Sequence, residues 1–254
     1  ICDKKVYKSR ERNYKNICKY STLILVDSEE GKRQLVECYG EYLNAAANIR
    51  VLPYIAPDYI YNNLNKRLKE KMELPEKYIF YPAQFWSHKN HKNLLLAVSR
   101  LRQRGLYINL LFSGAPKNSY SLVKDIIEKE SLGKQVIILD YVKNEEVIEL
   151  YNRARAMVMP TFAGPTNIPQ LEAFLLECPV ATSNIFAISD QVGDAALLFN
   201  PNSVEEIADC VERLWLDDEL CRDLIRKGRM QAAKWGQKEF SQALLRYIMD
   251  VEKY

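Results

Sequence analysis

Short apolar runs at residues 78–81, 108–112, 135–139 and 156–159 alternate with longer amphipathic stretches at 92–104, 121–129, 144–153 and 169–177. Each run is short enough for a strand buried on both faces, and each stretch spaces its apolar positions as one side of a helix does. Strands alternating with helices of this length predict α/β architecture: a Rossmann-like parallel sheet with helices on both faces, joined by right-handed crossovers. Another strand starts at Val180, after Cys178-Pro179 ends the preceding helix, and a last one closes at 193–199, beyond a loop and turn over 184–192. Asn202 or Ser203 then caps a helix over 204–215, Asp217 opens one over 218–235, and a closing helix covers 238–253.

Upstream the pattern is sparser. Residues 1–20 are rich in Lys and Arg, with Tyr7, Tyr14 and Tyr20 among them, and read as a solvated helix face. A buried strand at 23–26 leads to a helix capped by Asp27 or Ser28 and stopped at Gly40. A strand at 50–54 is interrupted by Pro53 and closed by Pro57, and the charged, Tyr- and Asn-rich stretch 58–77 reads as a connection. The chain therefore divides into 1–57, a linker 58–77, a main domain 78–236 and a closing helix 237–254.

Chemistry concentrates after the strand at 156–159. A turn-rich loop, 160–167, runs into a helix with Pro169 at its start, where a missing N–H costs nothing. The open N–H groups and dipole of that helix favour an anion in the crevice at the strand ends. Glu172, placed on the first turn, is suited to accept hydrogen bonds from a vicinal diol; the plainer role for such a residue is to complement the helix dipole.

Composition narrows the field. With 48% hydrophobic and 27% charged residues the chain is of ordinary globular make-up, and a net charge of +3 does not argue for nucleic acid. No apolar run approaches the length of a membrane helix. Six cysteines without a C-x-x-C pair imply reduced thiols rather than a metal site or disulfide framework. Neither G-x-G-x-x-G nor a Walker A loop occurs. His88 and His91 flank Lys89 without a nearby acid or cysteine to complete a metal site, which leaves packing, hydrogen bonding or a phosphate contact for them.

The stretch Gly164-Pro-Thr-Asn-Ile-Pro-Gln-Leu-Glu172-Ala-Phe, followed by Cys178-Pro-Val-Ala-Thr-Ser183, resembles the E-x7-E region of the family 4 (group 1) retaining glycosyltransferases of GT-B fold. In that family the second Glu holds the ribose of the donor, and it falls on Glu172. The first lies near the donor sugar and falls on Gly164, a departure that leaves Thr166 and Asn167 to supply polar contacts. The loop Tyr81-Pro-Ala-Gln-Phe-Trp-Ser-His-Lys-Asn90 resembles the family's Gly-Arg-x-x-x-x-Lys-Gly loop, whose Arg and Lys grip the diphosphate. Lys89 matches the Lys, and Gln84 stands at the Arg position. Gly114 looks like part of the family's glycine-rich turn, serving either the turn itself or a close approach to ligand. Asp140-Tyr-Val-Lys143 and the helix to Tyr151 resemble a segment bordering the base, which makes Val142 and Lys143 candidate neighbours of it, or simply the end of a strand.

The resemblance implies a donor-binding GT-B domain with the tail of an acceptor domain attached, so that the chain begins in the middle of a protein. It implies transfer of a sugar from a nucleoside diphosphate sugar to a glycan or lipid-linked acceptor hydroxyl, with retention and with no metal or other cofactor. Lys89 and Glu172 are the expected catalytic pair. Gln84, His88, Gly114, Val142, Thr166, Asn167, Ile168 and Leu171 are the expected substrate contacts, with the N–H groups of Ile168 to Leu171 facing the diphosphate. The closing helix would return to the N-terminal part, where Trp235, Leu244, Leu245 and Ile248 pack. A cytoplasmic protein, peripheral at the membrane, fits the polymer-building chemistry. The alternative is a non-catalytic nucleotide-sugar-binding or assembly module; a hydrolase or epimerase wants an acid or base near residue 164, and none is there.

Overall fold

The apolar runs become strands at the expected places in the computed structural model, which describes residues 4–64, 72–139, 142–164 and 166–251. The elements in chain order are α1 (Lys4–Tyr20), β1 (Leu23–Val26), α2 (Glu29–Tyr39), β2 (Asn48–Val51), α3 (Asp58–Tyr61), β3 (Ile79–Pro82) and α4 (His91–Gln103). They continue with β4 (Leu110–Ser113), α5 (Tyr120–Lys129), β5 (Val136–Leu139), α6 (Asn144–Arg153), β6 (Ala156–Met159), α7 (Ile168–Leu175) and β7 (Val180–Ser183). Last come α8 (Ile188–Val192), β8 (Ala196–Phe199), α9 (Val204–Leu216), α10 (Asp218–Ala233) and α11 (Gln237–Val251). The chain forms two compact units: Ala56–Lys234, and the residues up to Ile55 together with those from Trp235 onward.

The larger unit is built on a six-stranded sheet in the order β5-β4-β3-β6-β7-β8. Every pairing is parallel, with Ile79 beside both Leu110 and Ala156, and Val180 beside both Met157 and Ala196. The central strands are apolar on both faces because helices cover both: β4, β6 and β7 are buried throughout, as are Ile79, Phe80 and Tyr81. At the margin, Ile137, Ile138 and Leu139 of β5 are only half-buried. Chain order runs outward from β3 one way and from β6 the other, so the crossovers change direction between these two neighbours. In such sheets the ligand crevice opens beyond the strand C-termini at that point.

Side-chain caps fix several helix starts. Ser28 accepts from Gly31 N, Ser203 from Glu206 N and Asp217 from Leu220 N. Helix α10 lies against α7 where Gly228 meets Phe174. Arg100 and Arg104 of α4 pair with Glu205, Asp209 and Glu212 of α9. These side chains are largely solvated, so the α4–α9 contact is held chiefly by packing.

In the smaller unit β1 and β2 pair in parallel, Leu23 beside Asn48, over Cys18, Ile24 and Leu35. Trp235 Nε1 donates to Pro53 O (3.0 Å), and Tyr247 OH of α11 donates to Val51 O (3.1 Å). The expected apolar packing of α11 is only partly found: Leu244 is half-buried, whereas Leu245 and Ile248 are exposed, and the buried residue is Ala243.

Other expectations shift. Strand β2 starts at Asn48 and ends ahead of Pro53, whereas α2 stops at Gly40 as expected, with a separate 3-10 turn, Gly40–Tyr42, after it. Within the stretch read as a connection, residues 58–61 form α3, and residues 188–192 of the expected loop form α8. Part of that connection (65–71), Asp140 and Tyr141 of the expected base-bordering segment, Pro165 and the end of the closing helix lie outside the described residues. No described helix is long and apolar enough to cross a membrane. Cys18, Cys38, Cys178, Cys210 and Cys221 are free thiols, all buried but Cys38.

Candidate functional site

Two loops meet at the C-terminal ends of β3 and β6. The first, 83–90, is tied down from below: Tyr81, buried in β3, donates its hydroxyl to Lys89 O (2.8 Å), and Ser119 Oγ donates to Phe85 O (2.6 Å). Gly114, with φ +153°, lies so close beneath it that a Cβ there would come within 2.5 Å of Ala83 O. Of its two expected roles, the turn is what the structure shows: the close approach is to the loop backbone. Asn90, in left-handed backbone (φ 57°), caps α4 and donates through Nδ2 to Pro160 O (2.8 Å) and Pro201 O (2.9 Å). The exposed Gln84 accepts from Trp86 Nε1 (3.0 Å) and so stays within its own loop.

Lys89 ends a 3-10 turn, Ser87–Lys89, and is half-buried. Among the described residues its ammonium has no hydrogen bond or ion pair, and burial lowers its pKa. A cation kept partly out of water without a counter-charge has most to gain from an incoming anion. The carbonyl of His88 accepts from Phe162 N (2.8 Å) and Thr161 Oγ1 (3.1 Å), joining the two loops, while its side chain is exposed. His91 is packing material: it stacks on Phe85 (4.5 Å between centroids) beside Tyr81 and Phe112, and Nε2 lies 3.2 Å from Ala83 O. Burial depresses its pKa to about 3, so the ring is neutral.

The second loop, 160–167, delivers α7. Gly164 has φ +123°, and a Cβ there would sit 3.2 Å from both amide atoms of Asn167. A glutamate at this position would need a different loop backbone. Thr166 is half-buried beside it. Asn167 occupies the N-cap of α7 without capping it by its side chain. Instead the Gln191 amide accepts from Asn167 N (3.0 Å) and donates to Asn167 O (2.8 Å), and Gln231 Nε2 donates to Gln191 O (2.8 Å). Asn167 Nδ2 is buried with no partner among the described residues.

No acid stands in the first turn of α7. With Asn167 N engaged and no N–H on Pro169, the donors that a helix start leaves open are those of Ile168 and Gln170. Leu171, expected as a donor, is past the last of these, where i→i−4 bonding has begun. Glu172 was expected on the first turn and is on the second, because the helix begins at Ile168. It is 7% exposed, and each oxygen accepts a phenol: Tyr59 OH to Oε1 and Tyr151 OH to Oε2, both 2.8 Å. Burial raises its pKa, against the pull of these two bonds. Val142 packs against the core ahead of α6, and Lys143 N donates to the Glu146 carboxylate (2.6 Å), so both serve the strand end and helix start.

Gln84, His88, Lys89 and Gly114 are thus gathered in one loop cluster, joined through the His88 carbonyl to the loop bearing Gly164 to Ile168. Val142 follows the margin strand β5, apart from β3 and β6. Two other hollows, about 670 Å³ beside α5 and β5 and about 500 Å³ lined by Glu76, Lys77, Arg153 and Arg155, contain none of the candidates. Sequence reasoning missed Tyr59, Asn90 and Gln191. Asn before a helix is a capping signal and was available for Asn90; nothing local marks the other two.

Comparison with known proteins places the chain in a family. The family model for "Glycosyl transferases group 1" matches residues 62–231. Serotype-specific mannosyltransferase WbdA of Escherichia coli is 29% identical over 175 residues, covering 66% of this chain and 21% of that protein. O-antigen chain mannosyltransferase B of Escherichia coli is 28% identical over 159 residues, covering 62% and 42%. The chain therefore spans less than half the length of these relatives. Among solved structures, sucrose-phosphate synthase from Thermosynechococcus elongatus superposes with a TM-score of 0.78 at 17% identity, over 100% of this chain and 64% of that one. A Rickettsia africae glycosyltransferase gives 0.77 at 18%, over 96% and 67%. These identities speak for the fold alone, whereas the family match covers most of the chain: it belongs to the group 1 glycosyltransferases.

Proposed function

We propose that this chain carries the donor site of a glycosyltransferase that moves a sugar from a nucleoside diphosphate sugar to the hydroxyl of a glycan or lipid-linked acceptor, with retention. The observation that carries this is the half-buried Lys89, unpaired among the described residues, in a loop bonded to the one that opens α7, at the reversal point of the sheet. As the sugar departs in an oxocarbenium-like transition state, charge grows on the leaving diphosphate. Lys89 and the open N–H groups of Ile168 and Gln170 meet that charge from fixed positions, in the part a divalent ion plays elsewhere. Glu172 takes the ribose hydroxyls, and Thr166 and Asn167 face the sugar. The relatives' names make a mannosyl donor the first to try.

A thermal-shift panel of nucleoside diphosphates and their sugars tests the site. Lys89→Met is expected to weaken binding at least tenfold, about 1.4 kcal/mol or more, while leaving the melting temperature unchanged or higher, because it removes a desolvated charge. Glu172→Ala is expected to abolish the shift. Full binding by both variants would end the proposal.

A second reading, a nucleotide-sugar-binding module without transfer, draws on Gly164, whose backbone excludes the family carboxylate, and on Gln84, turned to Trp86. Product formation with an acceptor separates the two.

A further inference from the structure

Glu172 is an unusual group to find at a ligand site without a cation. Tyr59 comes to it from α3 and Tyr151 from α6, across 113 and 21 positions of sequence. The Tyr151 hydroxyl also lies 3.3 Å from Pro169 O, but its one hydrogen belongs to the shorter bond, to Glu172. No charged side chain touches the carboxylate among the described residues. On α7 its neighbour Gln170 is turned to Thr182 Oγ1 (3.0 Å), and Arg229 of α10 is paired with Glu177. The Cys178 thiol, close to Tyr151, is kept protonated by burial. A carboxylate offers about four lone-pair directions, of which the two phenols occupy two.

We propose that Tyr59 and Tyr151 are positioning residues for the nucleotide: each donates to one oxygen of Glu172 and fixes the carboxylate plane, leaving one lone pair on each oxygen for the vicinal hydroxyls of a ribose. The proposal rests on the donor-site reading above and adds to it Tyr59, outside every motif named above, and a specific role for Tyr151, which the resemblance placed only in a segment bordering the base. It makes the ligand a ribonucleotide in particular, because a single remaining hydroxyl engages only half of the prepared acceptor. It also sets a pH dependence. Hydrogen bonds from the phenols favour the ionised carboxylate and offset part of the burial that disfavours it. Removing either one raises the Glu172 pKa further, so binding, present above that pKa, is lost at a higher pH as the solution is acidified. Burial and the adjoining carboxylate raise the pKa of both phenols, which remain donors throughout.

The test is isothermal titration of the full chain between about pH 5 and pH 8 with the nucleoside diphosphate that shifts its melting most, and with the 2′-deoxy form of that compound. Wild type, Tyr59→Phe, Tyr151→Phe and Glu172→Gln are compared. The Phe variants are expected to bind the ribonucleotide roughly three- to tenfold more weakly at neutral pH, about the worth of one ordinary hydrogen bond, because the carboxylate is left in place but less firmly oriented. They should also discriminate less between ribo and deoxy forms and lose binding at a higher pH than wild type. Tyr59→Phe keeps its ring at a half-buried site, so a folded variant is expected even if Tyr151→Phe is unstable. Wild-type affinity, ribose preference and pH profile in a folded Phe variant would reduce the phenols to packing and overturn the proposal. If Glu172→Gln alone loses affinity, the ribose site stands without its positioning residues. If Glu172→Gln binds as wild type does, or wild type binds no nucleotide, the donor-site reading falls together with the proposal.

Discussion

Lys89 and His91 share one loop and answer burial in different ways. Burial lowers the pKa of the half-covered lysine, whereas the histidine, 1% exposed among Phe85, Tyr81 and Phe112, gives its charge up. Its folded pKa of about 3 lies below the ordinary 6.5, so the unfolded chain takes up a proton that the fold refuses. Stability from this group is therefore complete above pH 6.5 and is lost as pH falls toward 3. Displacement of that size corresponds to at most about 5 kcal/mol, at roughly 1.4 kcal/mol per pH unit. Urea denaturation across this range should show a steeper acid loss for wild type than for His91→Phe, which has nothing to titrate; equal slopes would mean the ring is accessible to protons. The sequence disclosed the absence of acids or thiols beside the two histidines. It did not disclose which of them is buried, because only tertiary packing sets His91 against Phe112.

Among the elements, α7 shows what a pattern reveals and what it conceals. Its existence followed from Pro169 and the apolar run after it, yet its start was misjudged, and that moved Glu172 from the first turn to the second. The long alternation of apolar runs and helices made the parallel sheet legible, since buried strands of this kind need apolar residues on both faces. Helices α3 and α8 were missed because four or five residues are too few to display a helical period. Tyr59 was hidden for a related reason: a phenol in a short segment gives no local sign of a carboxylate so far along the chain. Packing of α10 onto α7 depends on Gly228, where a Cβ would come within 2.9 Å of the buried Phe174 ring. Gly228→Ala gains about 1 kcal/mol of helix propensity but overpacks a confined aromatic, at a cost of about 1–3 kcal/mol. A net loss of up to about 2 kcal/mol in chemical denaturation is expected, and increased stability would show that the two helices can separate freely.

At the scale of the molecule, the two units differ in how much core they own. The continuous core from Ala56 to Leu224 lies wholly in the larger one, whereas the smaller is organised around Cys18, Ile24 and Leu35. Residues 56–234 produced alone should keep their secondary structure and nucleotide binding, and the full chain should melt in two steps with the smaller unit first. Failure of 56–234 to fold would show that its core is insufficient by itself. Within that unit the loop 83–90 is held from beneath, by the Tyr81 hydroxyl and by the bare Cα of Gly114, and so takes its shape from the sheet. Phe162 and Ala163 have exposed side chains, and what Phe162 gives that loop is its backbone N–H, donated to His88 O, which any residue but proline supplies. On this reading a lineage is free to trade residues there, and with them its taste in sugars, while its grip on the diphosphate is inherited unchanged.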